Sequence, residues 1–182
     1  MPLTGVHFVS FTAPALITNN AVVFTAKIAG AGVTKVNDTG IWLWDGTSNY
    51  LVARKGDPAP GVTGSGVHFK ALGAPLANVN GRIAFTGTLT GTGINPGNDT
   101  ALWSVAEDGI TPSLRLREGD VYNFGNVELP FNRTITSINV TTASGGDDGF
   151  ARGMDQDGGV AVLVGLSKGS GSAGQAILKI AP

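Results

Sequence analysis

The chain has no cysteine. Disulfides, thiolate nucleophiles and cysteine-based zinc sites are therefore excluded. Charge is scarce as well: Asp, Glu, Lys and Arg make up 14% of the 182 residues, and the formal net charge is −1. With no basic patch or tail, neither nucleic acid nor an anionic membrane is expected as a partner. Long apolar runs are missing. The longest, near Ala21–Phe24 and Val160–Gly165, fall far short of the ~20 residues a membrane-spanning helix needs. No stretch sustains an apolar period of 3.6, so helices are not expected.

What the chain has instead is glycine and β-branched residues. There are 28 glycines, and hydrophobic residues reach 42%, enough for a real core. Many Val, Thr and Ile residues among scattered glycines favour short strands joined by tight turns.

The chain also repeats itself. Shifted by 61 residues, Gly5–Phe8 (GVHF) falls on Gly66–Phe69, Asn37-Asp38-Thr39 on Asn98-Asp99-Thr100, and Trp42 on Trp103. Between Gly5–Trp42 and Gly66–Trp103, 15 of 38 positions are identical, where chance gives roughly three. After a two-residue insertion, Leu51-x-x-Arg54-x-Gly56-Asp57 matches Leu114-x-x-Arg117-x-Gly119-Asp120. A looser third copy places Ala161-Val162 on Ala84-Phe85 and Leu178 on Trp103. The units are read as 1–61, 62–124 and a divergent terminal repeat, 125–182.

Each full unit offers four strands. The strongest has Val22, Phe24, Ala26 and Ile28 on one face, and its copies offer Ile83, Phe85, Gly87 and Leu89, then Val160, Val162, Val164 and Leu166. Asp45-Gly46, Asp108-Gly109 and Gly56-Asp57-Pro58 mark turns. The expected class is all-β, in tandem four-stranded antiparallel units like β-propeller blades; a β-sandwich or barrel is the alternative. Phe24, Phe85 and Val162 are expected to be equivalent buried positions. The third copy is expected to lack its last strand.

Asn78-Val79-Asn80-Gly81-Arg82-Ile83-Ala84-Phe85 fits the pattern N-x-x-G-x-x-A-F. GVHF, the Asn-Asp-Thr segments and Ala53–Gly61 (ARKGDPAPG) surround it. Together they resemble the bacterial tandem-repeat proteins of the NxxGxxAF (choice-of-anchor) type. The resemblance implies a secreted or cell-surface bacterial β-repeat protein and carries no activity with it. Ile17 and Asn20 stand where the motif has Asn and Gly in the first copy, so that turn is expected to differ.

Several residues are candidates for chemistry. Asn37, Asp38, Asn98 and Asp99 precede strands, where their side chains can cap turns or offer oxygen ligands. Asp147, Asp148, Asp155 and Asp157 form a denser acidic group that would suit calcium, the one cofactor in view. It lacks the closing Glu of a calcium-binding hand, and a turn explains Asp157-Gly158 equally well. His7 and His68 recur without a third ligand. Arg54 with Asp57, and Arg117 with Asp120, suggest an ion pair or a turn clamp. Trp42 and Trp103 recur in phase and read as packing residues. Trp44 has no aromatic counterpart at Val105 and is the better candidate for stacking on a sugar ring.

No G-x-S-x-G elbow occurs, and no carboxylate stands apart as a catalytic acid. The leading expectation is a non-catalytic extracellular module with a structural, adhesive or self-assembly role. A carbohydrate-binding module is the alternative, with a glycan as partner, and a hydrolase is the third reading. Self-association through strand edges is expected, with Val6–Ser10 of a neighbour filling the open edge of the third unit.

Overall fold

The structure is a computed structural model describing residues 5–17, 20–125, 132–141, 153–167 and 174–182. It is all-β. The first sheet holds β1 (Val6–Leu16), β2 (Val22–Gly30), β3 (Thr39–Trp44) and β4 (Asn49–Arg54) in that order. The second has β5 (His68–Leu72), β7 (Ile83–Thr90), β8 (Thr100–Val105) and β9 (Pro112–Arg117), with the two-residue β6 (Leu76–Ala77) also pairing with β7. The third has β10 (Val121–Asn123), β11 (Asn132–Val140), β12 (Val160–Ser167) and β13 (Gly174–Ile180). All pairings are antiparallel.

The strand register is alike at the matched positions. Phe24 pairs with Trp42, Phe85 with Trp103 and Val162 with Leu178, and Phe24, Phe85 and Val162 are all buried. The three sheets stack face to face. Val23, Ile41 and Ala53, on the back of the first sheet, join one core with Phe69, Phe85 and Trp103 on the front of the second. Ala84, Leu102 and Leu116, on the back of the second, join another with Ile135, Val162, Val164 and Leu178 of the third.

The order of the stack is visible in the strands. β8, in the central sheet, is buried at five consecutive positions, whereas β12 alternates because only one of its faces is covered. Each fully buried aromatic such as Phe85 stabilises the stack by about 3 kcal/mol.

The third unit differs from expectation. It has four strands, but the fourth is β10, on the β11 side; the β13 side stays an edge among the described residues. By sequence β10 lies within 62–124, and by pairing it belongs to the third sheet. The cause is the linker that leaves each unit. Past Arg54, Gly56 N–H donates to Phe69 O and Phe69 N–H to Asp57 O, and Pro58 bridges to His68. Past Arg117, Gly119 N–H donates to Ile135 O and Ile135 N–H to Asp120 O, and Val121 pairs with Thr134. The two arrangements are the same. Pro58 and Pro60 lack the N–H groups to extend the first into a strand, while Val121–Asn123 keep theirs.

Each unit thus gives its linker to the first strand of the next. β1 has no such partner among the described residues. Val6–Ser10 is no loose donor segment: it pairs with β2, leaving only its outer edge open. β1 is also longer than the repeat suggests. Register shifts after Phe8 and after Thr12, with Ala13 at φ 49°, carry it on to Leu16.

Candidate functional site

The recurring polar residues gather in two places, and a cluster of aromatic rings in a third. The first is the loop before the third strand of a unit. Asn37 Oδ1 accepts from Thr34 N–H at 2.7 Å, and its amide donates to Gly32 O at 3.1 Å. Asn98 does the same with Asn95 N–H at 2.8 Å and Gly93 O at 3.1 Å. Arg54 Nε donates to Asn37 O at 2.7 Å, and Arg117 Nε to Asn98 O at 2.8 Å. Both Asn side chains are engaged in holding their own loops. The Arg-x-x-Asp spacing proves to be a turn clamp, with Asp57 N–H on Arg54 O and Asp120 N–H on Arg117 O. No Arg–Asp ion pair forms between them among the described residues.

Asp38 and Asp99 each accept from the hydroxyl of the following Thr, and there the copies diverge. Lys55 Nζ lies 3.4 Å from Asp38 Oδ1. Burial opposes ionisation of Asp38, but the Thr39 hydroxyl and the Lys55 ammonium outweigh it and hold the carboxyl below its ordinary value. The residue equivalent to Lys55 is Glu118, which is buried, accepts from Thr100 N–H at 3.1 Å and faces Asp99. Burial, reinforced by the Asp99 charge, pushes the Glu118 carboxyl up. Burial also raises Asp57, against the pull of Arg54 and His68.

The second place is a column of turns before the second strand of each unit. Asn78 Oδ1 caps Asn80 N–H and Arg82 N–H, and its amide donates to Asp155 O at 2.6 Å and Gln156 O at 3.0 Å. Asp155 stands at the equivalent position and caps Asp157 N–H and Gly159 N–H. Lys179 lies 2.5 Å from its other oxygen. That ammonium and the Gly159 N–H hold Asp155 below the usual carboxylate range. Asp155 is thus a turn cap with an ion pair, and Asp157 is exposed beside it. Asp147 and Asp148 lie outside the described residues. Among the described residues no three His, Asp or Glu side chains form a metal-binding group.

The first-copy turn is closed by the same backbone bond despite Ile17. Ile17 N–H donates to Ala21 O, as Asn78 does to Arg82 O and Asp155 to Gly159 O. Asn20, at φ 64°, takes the left-handed position that Gly81 and Gly158 hold, one that Asn tolerates better than most residues.

The third place is the front of the first sheet. Phe8, Phe24 and Trp42 cluster there, with Phe8 5.0 Å from Trp42 and 5.8 Å from Phe24. Trp44 and Leu51 pack half-buried against them. Phe11, 5.5 Å from Phe24, is 62% exposed. Trp44 therefore belongs to an aromatic surface rather than standing alone. His7 is exposed on β1, and His68 is half-buried on β5 with Nδ1 unpartnered. The open front was not legible from the repeat, which treats all copies alike.

These features define an all-β protein of three packed antiparallel sheets. The chain belongs to a family of unknown function, DUF7453, whose profile matches residues 1–181. No curated protein matches it. No solved structure matches it either. Among the described residues no helix is long and apolar enough to cross a membrane.

Proposed function

We propose that this protein is a non-catalytic structural module that works by assembling with other β-units, in the bacterial extracellular space or on the cell surface. The observation that supports assembly is unpaired strand edges: the outer sides of β1 and β13 have no partner among the described residues. The recurring Asn, Arg and Asp side chains are engaged in holding loops, which leaves them little freedom for chemistry. The extracellular, bacterial setting rests on the resemblance to NxxGxxAF repeat proteins. No cofactor is invoked, calcium included.

Multi-angle light scattering across micromolar concentrations tests this. Species larger than one chain, growing with concentration, are expected. A strict monomer throughout would remove the self-assembly role. A carbohydrate-binding role is the second reading, favoured by Trp44 beside the exposed Phe11. Binding on a glycan array that is lost in Trp44→Ala would put it first.

A further inference from the structure

Within this chain, two sheets receive a preceding unit and one does not. On the second sheet, the Gly56-Asp57 turn bonds the backbone of Phe69, and Trp103 Nε1 donates to Pro60 O at 2.9 Å. The back of the first sheet covers the Phe69, Phe85 and Trp103 rings. On the third sheet, Gly119-Asp120 does the same for Ile135.

The first sheet has the receiving half of this joint. Phe69 pairs with Leu89, whose N–H points away to Asp99 O; Phe8 pairs with Ile28, whose N–H points away to Asp38 O. In an antiparallel ladder both partners of such a pair face outward. Phe8 N–H and C=O therefore lie on the open side of β1, where Phe69 meets its Gly-Asp turn. Trp42 Nε1, the counterpart of the donor on Trp103, is buried with no acceptor, and Trp42 is only 7% exposed. A buried N–H without a partner is costly and rare. Phe11 is 62% exposed, whereas its counterpart Leu72 is partly buried in the first interface.

We infer that the front of the first sheet, with the outer edge of β1, is a docking site for a preceding β-unit of this same kind. That unit presents a Gly-Asp turn after its last strand. Its turn bonds Phe8, and its sheet covers Phe11 and the edge of the Trp42 indole. The occupant is a separate unit, because the Gly56-Asp57 and Gly119-Asp120 turns of an intact chain already serve Phe69 and Ile135. This deepens the assembly reading and rests on it for the existence of a partner, but the site is testable by itself.

The test is a lengthened chain in which residues 5–65 are repeated ahead of residue 5. Gly5 and Gly66 are equivalent, so the residues 61–65 link the added unit at its native spacing. The readouts are hydrogen exchange of the Trp42 indole N–H and the reactivity of a thiol introduced by Phe11→Cys, in a chain with no other cysteine. Both are expected to slow by roughly tenfold or more relative to the parent chain. Gly56→Pro in the added unit alone removes the N–H aimed at Phe8 O and should restore the parent's rates. Unchanged rates in the lengthened chain overturn the proposal. So does a Phe11→Cys parent chain whose introduced thiol cross-links in high yield to the same thiol of another copy, which would make this face a self-pairing surface. A monomeric parent with a protected lengthened chain keeps the site and removes only self-assembly.

Discussion

The first and second units share their turns and strand register, yet their tryptophans lie differently. Each meets the phenylalanine of its first strand edge-on, Trp42 with Phe8 at 84° and Trp103 with Phe69 at 68°, but Trp103 also stacks on Phe85 at 13° between planes. The difference follows from where each unit places a methyl group. At one strand-2 position the first unit has Ala26 and the second Gly87; on the neighbouring strand the first has Gly40 and the second Ala101. A Cβ on Gly87 would come within 3.1 Å of both the Phe69 and Trp103 rings, so glycine is what admits them. A Cβ on Gly40 would lie 2.9 Å from Trp42 Nε1. Each indole leans toward its own glycine. One N–H then reaches a neighbouring unit and the other is buried against its own sheet. Identical aromatic residues are set by small neighbours and by what covers them.

The comparison breaks first on the large aromatics. Phe85→Ala opens a cavity between two sheets and is expected to cost about 3–5 kcal/mol. Phe24→Ala lies under a face with no sheet above it and should cost about half of that, since water and Phe11 can relax into the gap. Urea denaturation measures both, and equal losses would show that the first sheet is already as well covered as the second.

A middle-sized effect is expected at the turns. Asn78→Ile copies the residue found at position 17. The backbone turn should persist, as it does at Ile17, but the caps and the two bonds to the third unit are lost. A loss of about 1–3 kcal/mol is expected, with faster exchange at Asp157 and Gly159 amides. A variant that unfolds locally around Gly81 instead would mean that the Asn side chain shapes the turn.

The smallest effect sharpens the contrast between Lys55 and Glu118. Glu118 holds its proton more tightly folded than unfolded, so its stability contribution is full below the ordinary value of 4.5 and is lost as pH rises through its raised value. Asp38 runs the other way: its contribution is present above 3.8 and lost as pH falls through its lowered value. Glu118→Gln is expected to raise the melting temperature at neutral pH and to flatten the decline above about pH 4.5. Thermal melts from roughly pH 3 to pH 8 check this; a profile identical to the parent's would mean that burial does not raise the Glu118 carboxyl.

Much of the fold was legible because period-two patterning and the 61-residue shift are written in side chains. Phe24, Phe85 and Val162 fall in one register from the sequence alone. The linker pairing was not legible, since Gly56-Asp57 and Gly119-Asp120 act through backbone groups that carry no pattern. That is why β10 was missed and the third unit was expected to be one strand short. Asn37 and Asn98 stood out as recurrent and Asp155 as part of an acidic group, but their partners are mostly carbonyl and N–H groups of glycine-rich loops, invisible in composition. The Lys55-to-Glu118 exchange lies inside the matched segments, but its effect depends on burial, which the alignment does not carry.

The handed-on linker also gives the chain a direction in time. During synthesis each unit is completed, with its Gly-Asp turn exposed, before the first strand of the next is made. Strands β5 and β11 therefore emerge beside an edge that is already waiting, and each new sheet forms on a template from the one before. Most pairings are between sequence neighbours, which keeps the loops to be closed short. The first unit alone must form before any such guide exists in the described chain. Its long, twice-bulged β1 is consistent with a sheet that has to complete itself.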